Sequence, residues 1–446
     1  MKRVALLPLL ALLGCAASVA AVPAQAALPV QHWTQPNGVQ VYLIESPAIP
    51  MVDFQVDFDA GSRRDPAAKI GLAEATADMA IKTVHAGNGH PGMDENAVSE
   101  AWADLGAQFD LQAGNDRMSY TLRTLTYPEV LDKAVQLAAL QMGQPAFASD
   151  IWARERARLG AALDEANTHA ETQAQRAFYA AVFGRHPYGY EPTRETLAHI
   201  SVADMRALYA RAVKPCAATV SVVGAVTREQ ADALVRKLFA RFPASNCSQA
   251  LPPVAEVLPL AHAVDRHIPF DSAQAQILLG QPGFKRDDPD FLALLVGNHM
   301  LGGGGFTSRL TDEVREKRGL SYSVDSSFDP GLHAGAFTIS LQTRPDQAAQ
   351  ALQVARQVLE EFVRSGPTEA QLAEAKDNLV GGFALRIDSN QKLLDNLSSI
   401  AWNKLPLDYL DHWAENVAKL TVADVRAAMA RKLNPAKMVT VVLGAK

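Results

Sequence analysis

Ile200-Ser201-Val202-Ala203-Asp204-Met205-Arg206 returns as Leu420-Thr421-Val422-Ala423-Asp424-Val425-Arg426 near the end of the chain. In both copies a Ser or Thr precedes an Asp by three residues, the pattern of a capped helix start. The echo continues at the same offset. Pro215 through Val223-Gly224-Ala225 answers Pro435 through Leu443-Gly444-Ala445, so each helix leads into a β-branched strand. Upstream, Gly61-Ser62-Arg63-Arg64-Asp65-Pro66 parallels Gly283-Phe284-Lys285-Arg286-Asp287-Asp288-Pro289, each running from a strand into a helix. Self-similarity over such a length means a duplicated unit. The chain therefore divides into two homologous halves, 27–248 and 262–446, joined by a linker over 249–261 that contains Pro252, Pro253 and Pro259.

Within the first half, Pro36-Asn37-Gly38 signals a turn, after which Val39, Val41 and Leu43 alternate with polar neighbours. A second strand sets Val52, Phe54, Val56 and Phe58 on one face and Asp53, Gln55 and Asp57 on the other. Helices are expected over 66–82 and 94–106, a strand over 117–125, and long helices from Pro128 to His169. Strand pairs interspersed with helix pairs indicate an α+β fold. Each half is expected to be an α/β sandwich of mainly antiparallel sheet packed with helices, not a doubly wound sheet.

The 446 residues are 48% hydrophobic and 20% charged, which fits globular folding and excludes a largely disordered chain. A net charge of −6 and a pI near 6.0 give no basic surplus for a nucleic-acid binder. The first 26 residues read as an export signal: Lys2 and Arg3, an apolar run from Val4 to Leu13, then a cleavage site at Ala24-Gln25-Ala26. Losing Lys2 and Arg3 takes the charge from −6 to −8. Leu12-Leu13-Gly14-Cys15 offers a second reading, a lipobox with Cys15 as the lipidated residue. Both readings export the chain, and a periplasmic location is expected. No later apolar run is long enough to span a membrane. In a disulfide-permissive compartment Cys216 and Cys247 can bridge or stay as thiols, and both alternatives stand.

The most specific segment is Phe306-Thr307-Ser308-Arg309-Leu310 … Val314-Arg315-Glu316-Lys317-Arg318-Gly319-Leu320-Ser321-Tyr322-Ser323-Val324, preceded by Gly302–Gly305. It resembles the second domain of the pitrilysin/insulysin family of zinc peptidases, which includes the mitochondrial processing peptidases. Gly61 through Asp78, the His186-Pro187-Tyr188-Gly189 loop and the duplicated layout extend the resemblance over the mature chain. Active members of that family carry H-x-x-E-H, two imidazoles one turn apart for Zn²⁺ and a glutamate that activates the bound water. The matching stretch here is Gly71-Leu72-Ala73-Glu74-Ala75-Thr76-Ala77-Asp78-Met79. Glu74 and Asp78 stand in place of the histidines, and Ala77 in place of the base. The family's third ligand is a glutamate on the helix that here holds Glu155 and Glu165, and the register leaves Ala162 at that place, seven residues after Glu155. No metal is expected in this chain, and His85 and His90 fall in a Gly-rich surface loop.

The resemblance implies a different fate for the second half. There an arginine and a tyrosine seven residues apart contact the substrate backbone, and Arg315 and Tyr322 match that spacing. Gly302–Gly305 lacks the Gly-Lys-Ser/Thr of a phosphate loop and reads as a turn between helices. Arg309, Lys317 and Arg318 read as a solvated face, and His186-Pro187-Tyr188 as a packed loop. An erased zinc motif beside a retained Arg/Tyr pair implies the zinc-less, non-catalytic subunit of a heterodimeric metallopeptidase. Its partner is then a homologous H-x-x-E-H subunit that holds the zinc and hydrolyses peptides. The alternative is a non-enzymatic peptide-binding or scaffold protein of the same fold.

Overall fold

The structure, a computed structural model, describes residues 29–87, 90–243 and 251–445. The expected export segment, Cys15 and Cys247 lie outside them. The first half contributes β1 Gln31–Thr34, β2 Gln40–Glu45, β3 Met51–Phe58, β4 Gln108–Ala113, β5 Met118–Leu125 and β6 Thr219–Gly224, in the sheet order β1-β2-β6-β3-β5-β4. The second contributes β7 Val264–Ile268, β8 Ala275–Pro282, β9 Ser323–Phe328, β10 Ala336–Thr343 and β11 Val439–Leu443, in the order β7-β11-β8-β10-β9. Superposing β6 on β11 makes the two orders identical, apart from the extra edge strand β1. Each sheet has one parallel pair, β2 with β6 and β7 with β11, and is otherwise antiparallel. The α+β class with helices packed on two sheets is the observed one.

The helices that matter below are α1 Leu72–Ala80, α2 Glu95–Leu105, α3 Pro128–Gly143, α4 Ser149–Ala166 and α5 Ala170–Phe183. The helix expected from residue 66 begins only at Leu72. Asp65 accepts the backbone N–H groups of Gly71 and Ala73 at 2.9 and 3.0 Å, and Gly71 takes φ 96°, a conformation that L side chains rarely adopt. β4 is absent from the strands expected on sequence grounds; it follows the Gly106 cap of α2 and forms the sheet edge.

The halves are joined by exchange. α5 and the Asn390–Trp402 helix hold equivalent places in the two repeats, and each packs on the other half's sheet. α5 sets Ala174, Phe178 and Val182 against Leu278, Val439, Val441 and Leu443. The Asn390–Trp402 helix sets Leu393, Leu394 and Leu397 against Ile44 and Val223. It also covers the polar face of β3, so Asp53 and Asp57 are only 2% and 0% exposed. These carboxylates are matched in place. Arg123 donates to Asp53 at 2.6 Å and reaches Gln391 at 3.0 Å, while Arg117 pairs with Asp57 at 3.0 Å and lies over the Trp402 ring. Asp116 ties the seam elsewhere, accepting from Tyr188 Oη at 2.6 Å and Leu332 N at 2.9 Å and pairing with Arg63 at 3.1 Å. The His186-Pro187-Tyr188 loop is thus packed, as expected, and it helps hold the two halves together.

The two halves differ at one surface among the described residues. In the first half the Arg228–Leu238 helix packs on α3 and β2, and Val41 and Leu43 are 0% exposed. At the equivalent place in the second half, a groove of about 490 Å³ lies between the Ala348–Ser365 helix and β7. Strand register puts Asp265 and His267 where Val41 and Leu43 stand, and Thr440 where Val220 stands. Arg356 reaches both Asp265 and Thr440. The exchange makes this surface more polar than its counterpart in the first half.

Candidate functional site

The degenerate motif lies on α1, against α4. Ala77 is buried at 1% exposure and offers only a methyl group. Glu74 and Asp78 share the outer face of α1, and Arg158 on α4 faces them, pairing with Asp78 at 3.4 Å and with Glu155 at 2.7 Å. Glu155 is 4% exposed and also meets Arg154 at 3.1 Å and Lys82 at 3.5 Å. Burial pushes the Glu74 and Asp78 carboxyls up, Glu74 further through the nearby Asp78, while Arg158 opposes both shifts. Burial also raises Glu155, but hydrogen bonds from Arg158 and Arg154 outweigh it and hold that carboxyl below its ordinary range. Ala162 is exposed two turns further along α4.

This donor set does not fit zinc. Imidazoles are missing, no side chain at 77 can take a proton from water, and a guanidinium fills the electrostatic role a cation would have. Among the described residues no group of three or more His, Cys, Asp or Glu side chains is arranged to hold a metal ion.

The Arg/Tyr pair lies on the second half. Arg315 sits in a widened π-helical turn, Thr311–Glu316, and a second such turn, His299–Gly303, carries the start of the glycine run. Turns of this kind recur at functional sites. The second turn clamps onto β9. Asn298 Nδ2 donates to Ser326 O at 2.9 Å, and Ser326 Oγ donates to Asn298 Oδ1 at 2.7 Å. Gly302 is required by this approach, since a Cβ there would lie 2.5 Å from Ser326 N and Oγ. Ser321 Oγ donates to Gln342 O at 2.6 Å, fixing the chain just before β9. Tyr322 is left 82% exposed.

The Arg315 guanidinium carbon lies 4.9 Å from the Tyr322 ring centroid and 4.8 Å from that of Phe306. Its Nε is 3.3 Å from Glu316, and its two terminal nitrogens have no acceptor among the described residues. These groups line a groove of about 390 Å³ with Gly302, Gly303, Gly305 and Ser323 to Ser326. Strand register places Ala107 at the position in the first half that Tyr322 holds in the second. The duplicated scaffold therefore does not require a tyrosine there. No hydrogen bond or ion pair links the Arg/Tyr groove to the α1 motif among the described residues.

Spacing found Arg315 and Tyr322 but not Phe306, whose stacking carries no sequence period, nor Arg158, which meets Asp78 from a different helix. Arg309 is a correction. It does not belong to a solvated face, because its guanidinium lies over Phe362 and donates to Gly366 O at 2.9 Å and to Gln371 at 2.7 Å. Lys317 and Arg318 do lie outside, paired with Glu313. Cys216 is disulfide-bonded, and Cys247 falls outside the described residues.

Two sheets of one strand order and an altered motif of metallopeptidase type define the class: a metallopeptidase-like chain built by duplication. Residues 40–195 match the insulinase domain of peptidase family M16, and residues 199–379 match the peptidase M16 inactive domain. A solved structure of a peptidase M16 inactive domain from Pseudomonas fluorescens is 33% identical, with a TM-score of 0.88 over 94% of this chain and 98% of that one. An uncharacterized zinc protease of Mycobacterium bovis is 28% identical over 94% of each chain. A protease from Helicobacter pylori, 21% identical, shares the fold with a TM-score of 0.84 over 93% of this chain and all of that one. The chain belongs to peptidase family M16.

Proposed function

We propose that this protein is the zinc-less, non-catalytic subunit of a heterodimeric metallopeptidase. Its partner is a homologous H-x-x-E-H subunit that holds the zinc. The observation that carries the reading is Arg315, set beside two exposed rings with no acceptor for its terminal nitrogens among the described residues, in a chain whose own motif has Ala77 and Arg158 in place of zinc chemistry. Arg315 and the Tyr322 hydroxyl donate to backbone carbonyls of an extended peptide and hold it against the partner, whose zinc would supply the hydrolytic chemistry. As the scissile carbonyl becomes an oxyanion, such donors strengthen. The chain is periplasmic in this reading, exported by residues 1–26, with a lipid anchor at Cys15 as the lesser alternative.

The test is reconstitution. The purified chain alone is expected to cleave no peptide. Mixed with a companion that carries H-x-x-E-H, it should give cleavage whose kcat/KM falls more than about tenfold with Arg315→Ala or Tyr322→Phe, about 1.4 kcal/mol of transition-state stabilisation. Full activity of the companion alone sinks the subunit reading. Peptide binding with no effect on any companion favours the non-enzymatic peptide-binding or scaffold alternative.

A further inference from the structure

Phe306 is 72% exposed and Tyr322 82%, an arrangement that wastes two large rings unless something covers them. Both rings flank one guanidinium at nearly equal distances, 4.8 and 4.9 Å. A guanidinium over aromatic faces is attracted by the ring quadrupoles, so the contact holds it in place without consuming a donor. Glu316 approaches from the Nε side, at 3.3 Å. What remains is a two-nitrogen donor fork with an apolar wall around it, opening on the groove beside β9. β9 itself is not free to recruit a strand at Ser326, because Asn298 already takes that carbonyl.

We infer that Phe306 is a third residue of this site. It positions Arg315, and together with Tyr322 it forms a wall for a large apolar side chain next to the carbonyl that Arg315 grips. The inference rests on the reading that the groove binds peptide, and it adds the substrate class: extended peptides bearing Phe or Leu at one defined position.

The experiment uses the full chain alone, labelled with nitrogen-15 arginine, so that the Arg315 Nε–Hε signal, assigned with Arg315→Lys, reports ring stacking. That signal should stand upfield, move downfield in Phe306→Leu and return in Phe306→Tyr. Titration with acetyl-Ala-Ala-Phe-Ala-amide should give about tenfold tighter binding than with acetyl-tetra-alanine amide, the scale of burying one aromatic side chain. Phe306→Leu should remove that preference and Phe306→Tyr should keep it. An unmoved signal in Phe306→Leu, or equal binding of the two peptides, overturns the inference. So does protection of Phe306 by a companion chain with no peptide preference, which assigns the ring to a subunit contact. The two readings fail separately. Companion-dependent cleavage without the preference removes only the role of Phe306, and the preference without companion dependence removes only the subunit reading.

Discussion

Replacing Phe178 by alanine damages the half that does not contain it. Phe178 lies on α5, in the first half of the chain, yet it is fully buried against the second sheet. Its ring fits where the second sheet has no side chain, since a Cβ at Gly280 would lie 2.9 Å from Phe178 Cζ. Removing a fully buried phenylalanine costs about 3–5 kcal/mol, as lost transfer energy plus the cavity left behind. Ala174 and Val182 are too small, and too well held by Leu278, Val439 and Leu443, to close that space. For a unit of this size the melting temperature should fall by about 10 °C. The assay is amide hydrogen exchange followed by mass spectrometry. Peptides covering β8 and β11 should lose protection before those covering β3 and β5. Leu397→Ala in the Asn390–Trp402 helix is the mirror experiment, because Leu397 is equally buried but against Ile44 and Val223. It should loosen the first sheet first. If Phe178→Ala lowers protection in β3 and β5 while β8 and β11 stay closed, reciprocal exchange is refuted.

Gly302→Ala should cost about 1–3 kcal/mol, because its Cβ must push Ser326 away and break the clamp with Asn298. Exchange should rise in β9, read by the same mass-spectrometric method, while β3 is unaffected. Asp204 supplies the acid end of a helix cap and meets Lys69, and hydrogen bonds from Lys69 and Ser201 lower its pKa to about 2. A carboxyl depressed in the folded state adds stability above its ordinary range near pH 4, and that stability is lost as pH falls toward 2. Urea unfolding should show the native chain losing about 1 kcal/mol more than Asp204→Asn between pH 4 and 2, once solvent screening at this part-exposed pair is allowed for.

The duplication could be read because it is local. Ser201 and Asp204 repeat as Thr421 and Asp424, cap and acid are three residues apart, and both helices carry the capping box. The face of β3 bearing Asp53, Gln55 and Asp57 could not be read the same way. Alternation says only that it is polar, and polar faces usually meet water. Here the cover is a helix from the other half of the chain, and Arg117 and Arg123, reached through strand pairing, make that burial tolerable together with Ser119 and Gln55, which donate to Asp57. The site divides likewise. Arg315 and Tyr322 are tied by a seven-residue spacing, which a sequence displays. The contact of Arg158 with Asp78 and the stacking of Phe306 depend on how separate turns meet, which it does not display.

The exchange of helices also explains why the half whose motif has Glu74, Ala77 and Asp78 is still needed by the half that carries the Arg/Tyr pair. Without α5, the outer face of the second sheet would expose Leu278, Val439, Val441 and Leu443 together, residues that α5 now keeps at 8% exposure or less. A contiguous apolar face of that kind associates or unfolds. β9, which aligns the Arg315 groove, hangs on β10 and through it on β8, a strand that α5 covers. Changes at Glu74, Ala77 and Asp78 on α1 leave this support intact, whereas loss of α5 would not. A metal motif can therefore erode in the first half without disturbing the second, but the first half as a folded body cannot be discarded while Arg315 and Tyr322 are to stay in place.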